Sequence, residues 1–195
     1  MSRNPRTWYP GAIYHVTARG NRKADIFYDD ADFEEYLACI LLCQTEVTFH
    51  LHAYCLMDNH VHLLIETIHQ PLSQIIQFVH TRYAIYFNKR HKVTGHLFQG
   101  RYHAALINSN SYLLEASKYI HLNPLHAQMV SKAVAYPWSS YSTYLCPDKE
   151  QPVLTKDLIL GLFTEPSHKK YQNYVDGKEG VNDGDNSQKH WIERS

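Results

Sequence analysis

The sequence predicts an α+β fold of the ferredoxin-like kind, a split βαβ antiparallel sheet with helices, plus an extra helix that carries a tyrosine. Three observations predict it. Stretches with strand alternation and stretches with helical spacing follow one another in the order β-α-β-β-α-β. The pair Asp58-Asn59 reads as a short turn that makes the two middle strands a hairpin. A further capped helical stretch follows the last strand.

The elements follow in order. In "GAIYHVTARGN" Ile13, His15 and Thr17 alternate with Tyr14, Val16 and Ala18, which predicts a strand ending at Gly20. "DDADFEEYLACILLCQTEV" has acids in its first turns and Phe33, Tyr36, Leu37, Ile40 and Leu41 at helical spacing. "TFHLHAYCLM" and "HVHLLIET" are the hairpin strands. "PLSQIIQFVHTRYAIYFNKRH" opens on proline and repeats Leu72, Ile75, Ile76, Val79 and Tyr83 in helical register. "HLF" and "RYHAALI" read as a fourth strand interrupted near Gly100, with Gly95 as an earlier break. "SNSYLLEASKYIHLN" is a capped helix that Pro124 should stop. A proline-containing helical region closes the domain near Leu145. The expected division is a domain over 1–147 and a polar tail over 148–195, with one or two short helices in 153–175 and disorder in 176–195.

Composition narrows the function classes. No window approaches the roughly 18 apolar residues of a membrane helix, and "MSRNPRTWYPG" has no apolar signal region, so a cytoplasmic protein is expected. Cys39, Cys43, Cys55 and Cys146 form no CxxC pair and read as buried thiols in a reducing compartment. Net charge is zero but unevenly spread. Residues 1–24 hold Arg3, Arg6, Arg19, Arg22 and Lys23 without an acid. Residues 67–114 hold Arg82, Lys89, Arg90, Lys92 and Arg101, again without one. Either tract alone reads as solvated surface. Two together are what a phosphate-binding face needs.

Two histidine pairs have strand spacing. Residues i and i+2 share a face, so His60 and His62 present two imidazoles side by side while Val61, Leu63 and Ile65 face the core. Two neutral imidazoles can chelate a divalent metal. His50 and His52 form the same pattern, and spacing alone does not choose between the pairs. In the later helix, Leu113, Ala116 and Ile120 form the apolar face. Tyr112, Glu115, Tyr119 and Asn123 form a stripe beside it, so Tyr119 and Asn123 reach the same point. His121 lies nearly opposite Tyr119.

"GAIYHVTARGN", "AYCLMDNHVHLLIE", "GHLFQGRYH" and "YIHLNPLHA", in that order, resemble the REP-associated tyrosine transposases, a branch related to the HUH transposases of single-stranded insertion sequences. The resemblance covers about residues 8 to 145. It selects His60 and His62 as the metal-binding pair and Tyr119 as the single catalytic tyrosine. It places Asn123 where insertion-sequence relatives have a glutamine ligand, one methylene longer. It implies Mg²⁺ or Mn²⁺ as cofactor and hairpin-forming, palindromic single-stranded DNA as partner. Relatives of the insertion-sequence type are dimers that exchange tyrosine helices, whereas the REP-associated branch tends to be monomeric, and a monomer is expected here.

The reaction so implied is strand cleavage by transesterification, with a 5′-phosphotyrosine link and a free 3′-hydroxyl. A phenol titrates near pH ~10, so the nucleophile needs a metal, a base or basic surroundings. Arg19, Asn21, Arg22 and Lys23 are the first candidates for DNA binding, and Arg101 and Tyr102 the second. Two other classes stay open. One is a protein that binds structured single strands without cutting them. The other is a zinc hydrolase on the histidine pair, which lacks a third protein ligand at suitable spacing.

Overall fold

A computed structural model describes residues 7–146 and 148–178. The expectation of disorder over 176–195 therefore falls almost wholly outside the described residues. Four strands, β1 (Ala12–Arg19), β2 (Phe49–Met57), β3 (His60–Thr67) and β4 (His103–Ile107), form one antiparallel sheet in the order β2-β3-β1-β4. Helix α1 (Asp30–Glu46) connects β1 to β2, and α2 (Leu72–His91) connects β3 to β4. With β3 inserted between β1 and β2, this is the split βαβ arrangement.

The pleat sorts the strands' side chains onto two faces. Tyr14, Val16 and Ala18 of β1 and Val61, Leu63 and Ile65 of β3 meet Phe33, Tyr36 and Ile40 of α1 and Ile75, Ile76, Val79 and Tyr83 of α2. The other face carries Ile13, His15, Thr17 and Arg19 of β1 with His60, His62 and Leu64 of β3. The helix α3 (Asn110–His126) covers part of it, with Leu113, Ala116 and Ile120 in a second core. Helices α1 and α3 both start at side-chain caps. Asp29 caps α1 by accepting from the Asp32 amide, and Ser109 caps α3 by accepting from Tyr112.

Several expectations need correction. Pro124 does not stop α3, which continues to His126. Only the bond to the Ile120 carbonyl is forfeited, and the Ala127 and Met129 amides close the end on Asn123 and Pro124 carbonyls. Leu41, read as part of the apolar stripe of α1, is exposed. Cys146 is exposed while the other three cysteines are buried. The fourth strand is shorter than predicted: Arg101 and Tyr102 precede it, and Phe98 makes only an isolated bridge to Gly20. In β2 the register slips between Leu51 and Ala53. His52 is the bulged residue, and the phase of the core-facing positions changes from Leu51 to Tyr54.

Residues 148–178 pack against both cores. The short helix α4 (Tyr141–Leu145) precedes this segment, and two short helices lie within it, as expected for 153–175: α5 (Asp157–Leu160) and α6 (Ser167–Val175). Val153 joins the first core, and Ile159, Tyr171, Tyr174 and Val175 join the second. The segment expected as a polar tail with short helices thus contributes side chains to both cores.

Candidate functional site

The site grows out of the end of β1 and the start of β3. In the antiparallel register Thr17 stands opposite His62 and Arg19 opposite His60. β1 ends where the chain doubles back: a Cβ on Gly20 would sit 2.0 Å from the Ala24 carbonyl oxygen. The turn Asn21–Lys23 that follows has left-handed backbone at Arg22 and Lys23.

The rings of His60 and His62 meet edge to face with centroids 5.0 Å apart. His60 Nδ1 lies 2.7 Å from Asn59 Oδ1. His62 Nδ1 lies 3.1 Å from His15 Nε2, inside the protein. Both candidate ligands therefore have Nδ1 engaged and keep Nε2 without a hydrogen-bond partner among the described residues. Their environment favours the uncharged form that ligates a metal. Burial, then the Arg19 charge, holds His60 down to about 4. Burial, then His15, His60 and Arg19, holds His62 well below the ordinary histidine range.

Helix α3 brings Tyr119 onto His62 and His15. Its ring lies edge-on to His62 at 5.6 Å and to His15 at 5.9 Å between centroids. Asn123 is one turn further along. Its Nδ2 donates back to the Tyr119 carbonyl at 3.2 Å, which leaves Oδ1 as the uncommitted atom. Among the described residues no three His, Cys, Asp or Glu side chains converge as a metal cluster. A cation held by His60 and His62 would thus need a further donor outside that set, and Asn123 Oδ1 has no hydrogen-bond partner among the described residues. Two imidazoles, an amide oxygen and waters suit an open divalent-cation site.

Beside the pair lies a cavity of about 140 Å³ lined by Thr17, Ala18, Arg19, His60, His62, Gln99, Arg101 and His103. Two guanidinium groups and no acid line it. Arg19 Nε is buried there without a partner among the described residues, a donor aimed at nothing that the chain supplies. Arg101 sits in this cavity, as does His103 across Thr17 in the sheet. Asn21, Arg22 and Lys23 do not line it; they lie on the exposed turn beside it. Tyr102 is half-buried against the α1–α2 core.

The second histidine pair does other work. His52 bonds Glu66 Oε2 at 2.9 Å and the Thr155 carbonyl at 3.0 Å, so both of its ring nitrogens are taken. His121 points away from Tyr119, fully buried between Ser140 Oγ at 2.8 Å and the Tyr171 hydroxyl at 2.7 Å. Sequence reasoning missed His15, Thr17, Asn59 and Gln99 as site residues. Alternation along β1 places His15 and Thr17 on the right face, but only the register shows which of β3's residues they meet.

Fold and site together define an α+β protein of the split βαβ type, with a histidine pair and a helix-borne tyrosine on one sheet face. The chain belongs to the IS200-like transposase family, whose model matches residues 9–123. Its fold is similar to that of a REP-associated tyrosine transposase solved bound to a REP hairpin, with TM-score 0.65 at 15% identity over 80% of this chain and 92% of that one. A second solved structure, of a Deinococcus radiodurans R1 protein, aligns with TM-score 0.43 at 14% identity over 57% of this chain and 91% of that one. No curated protein matches. Among the described residues no helix is long and apolar enough to cross a membrane.

Proposed function

We propose that this protein cuts and rejoins single-stranded DNA at hairpin-forming repeats, through a covalent bond between Tyr119 and a 5′-phosphate. The observation that carries the reading is the packing of the Tyr119 ring, 5.6 Å between centroids, against His62, which lines an acid-free cavity with two arginines. Membership of a transposase family supports it.

Arg19 and Arg101 would bind the non-bridging oxygens of the scissile phosphate, each as a charge-assisted donor. The Tyr119 oxygen attacks phosphorus, the bond to the 3′-oxygen breaks, and that oxygen leaves as a hydroxyl after taking a proton. The phenolic proton is lost in the same step. Because one phosphodiester replaces another, a later 3′-hydroxyl can reverse the reaction without ATP. His60, His62 and Asn123 Oδ1 would hold Mg²⁺ or Mn²⁺, which supplies Lewis-acid stabilisation of the charge developing on the phosphoryl oxygens.

The test is a denaturing gel of protein incubated with labelled single-stranded hairpin DNA and Mg²⁺ or Mn²⁺. A covalent adduct with wild type, absent with Tyr119→Phe, is expected. Retained binding without an adduct under either metal would refute cleavage and leave a non-cleaving binder of structured single strands.

A further inference from the structure

Each candidate ligand is held from behind by a different partner, and the two partners differ in what they dictate. Asn59 Nδ2 donates to the Lys23 carbonyl at 3.3 Å. A carbonyl only accepts, so the amide is fixed with Oδ1 toward His60. Oδ1 also only accepts, so the bond to His60 requires a proton on Nδ1. That leaves His60 Nε2 as a bare lone pair.

For His62 the partner is a second imidazole. His15 is its diagonal neighbour across the β1–β3 pairing, because Leu64 stands directly opposite His15 and His62 two residues before it. The rings stack at 5.3 Å with 25° between their planes. A single proton lies between His15 Nε2 and His62 Nδ1. If His62 carries it, His62 Nε2 is bare and can ligate. If His15 carries it, neutral His62 must be protonated on Nε2 and cannot. His15 makes no other hydrogen bond among the described residues. This distinguishes it from His121, which is tied to two hydroxyl groups in the second core. The same His15 ring abuts Tyr119 at 5.9 Å, so one side chain touches both halves of the site.

We propose that His15 and Asn59 are positioning residues that set the tautomers of His62 and His60, turning both Nε2 lone pairs toward the cation before it arrives. His15 acts as the acceptor, with its own proton on Nδ1. The inference rests on the metal-dependent reading of the site given above. It adds two residues that touch neither metal nor DNA, and it assigns each a direction of hydrogen bonding.

The first measurement needs neither metal nor DNA. In ¹⁵N-labelled, metal-free protein near pH 7.5, long-range ¹H–¹⁵N correlations should show His60 and His62 protonated on Nδ1 and bare on Nε2. His62 protonated on Nε2 would overturn the proposal. The second is Mn²⁺ affinity by calorimetry. His15→Phe keeps an aromatic ring against Tyr119 but removes the acceptor, and it should weaken Mn²⁺ binding roughly 10–100-fold. His15→Gln restores an acceptor oxygen and should recover most of that loss. Asn59→Asp should likewise bind better than Asn59→Leu. A folded His15→Phe protein that binds Mn²⁺ as wild type does would overturn the role. If that variant does not fold, the wild-type tautomers and the His15→Gln affinity decide. Correct tautomers in a protein that never forms the Tyr119 adduct would sink cleavage and support the positioning role; reversed tautomers with an intact adduct would do the opposite.

Discussion

Tyrosine 171 offers a sharp test of how the helix that carries Tyr119 is held. Its hydroxyl lies 2.7 Å from His121 Nδ1 and 3.1 Å from Ser117 Oγ, both on α3, and all three residues are fully buried. Tyr171→Phe keeps the ring and removes only the oxygen. His121 Nδ1 then has no partner and no route to water. Ser117 loses less, because its hydroxyl still donates to the Leu114 carbonyl at 2.8 Å. One stranded buried polar group costs about 1–3 kcal/mol and the lost neutral bond about 1, so the variant should lose about 2–4 kcal/mol. At about 2–4 °C per kcal/mol for a chain of this size, the Tm should fall by about 4–16 °C. Differential scanning calorimetry at pH 7.5 measures it. Below the new transition, adduct formation should persist, because Tyr119 itself is untouched. A shift under about 2 °C would refute the claim that this network secures α3.

Burial holds His80 and His121 down to about 3, below the ordinary value of 6.5. Their stability contribution is full above about pH 6.5 and is lost as pH falls toward 3, at about 1.4 kcal/mol per unit for each. Urea unfolding at pH 7.5 and 5.5 should therefore differ by about 3 kcal/mol from these two alone, with His15 and His60 adding in the same direction; equal stabilities would contradict it. Arg19→Ala and Arg101→Ala should each reduce the slope of log affinity against log salt for single-stranded DNA by about 0.7, whereas Arg82→Ala, outside the cavity, should leave it unchanged. Deleting residues after 147 should give a chain without a cooperative transition rather than a more active one, because Val153, Ile159, Tyr171 and Val175 leave the two cores; a folded truncation with unchanged cleavage would overturn this.

The order of elements was legible because strand and helix periods are strong local signals. Leu72, Ile75, Ile76, Val79 and Tyr83 all face the core, as their spacing requires. What spacing could not show was the choice between His50/His52 and His60/His62 on physical grounds. That choice depends on Glu66 and Thr155 occupying His52, contacts across 14 and 103 residues of chain. Nor could it show His15, whose role needs the β1–β3 register. The bulge at His52 was hidden because one inserted residue changes phase without changing composition. The packing of residues 148–178 was hidden because Tyr171 and Tyr174 bury themselves through hydroxyl bonds, so the segment reads as polar while contributing to a core.

That last feature bears on which chain supplies the tyrosine. One face of α3 lies on its own sheet at His15 and His62, and its other side is bound by α6 of the same chain. Lys118 Nζ donates to the Tyr174 carbonyl at 2.8 Å, and Tyr174 Oη lies 2.6 Å from Glu115 Oε1. Moving α3 onto a second copy would either break the buried His121–Ser140–Tyr171 network or carry α4 and α6 with it. Ser140 also anchors to Tyr54 in the middle of β2, so the second route would tear the sheet's own contacts as well. The site should therefore act within one chain. Mixing Tyr119→Phe with His62→Ala protein tests this directly. Two inactive chains that exchanged tyrosine helices would rebuild one intact site per mixed dimer and, in a random equal mixture, recover about a quarter of the adduct. A site completed in cis recovers none, and size-exclusion with light scattering should report a mass near 22.8 kDa. Restored adduct in the mixture would show that α3 leaves its own sheet despite the contacts behind it.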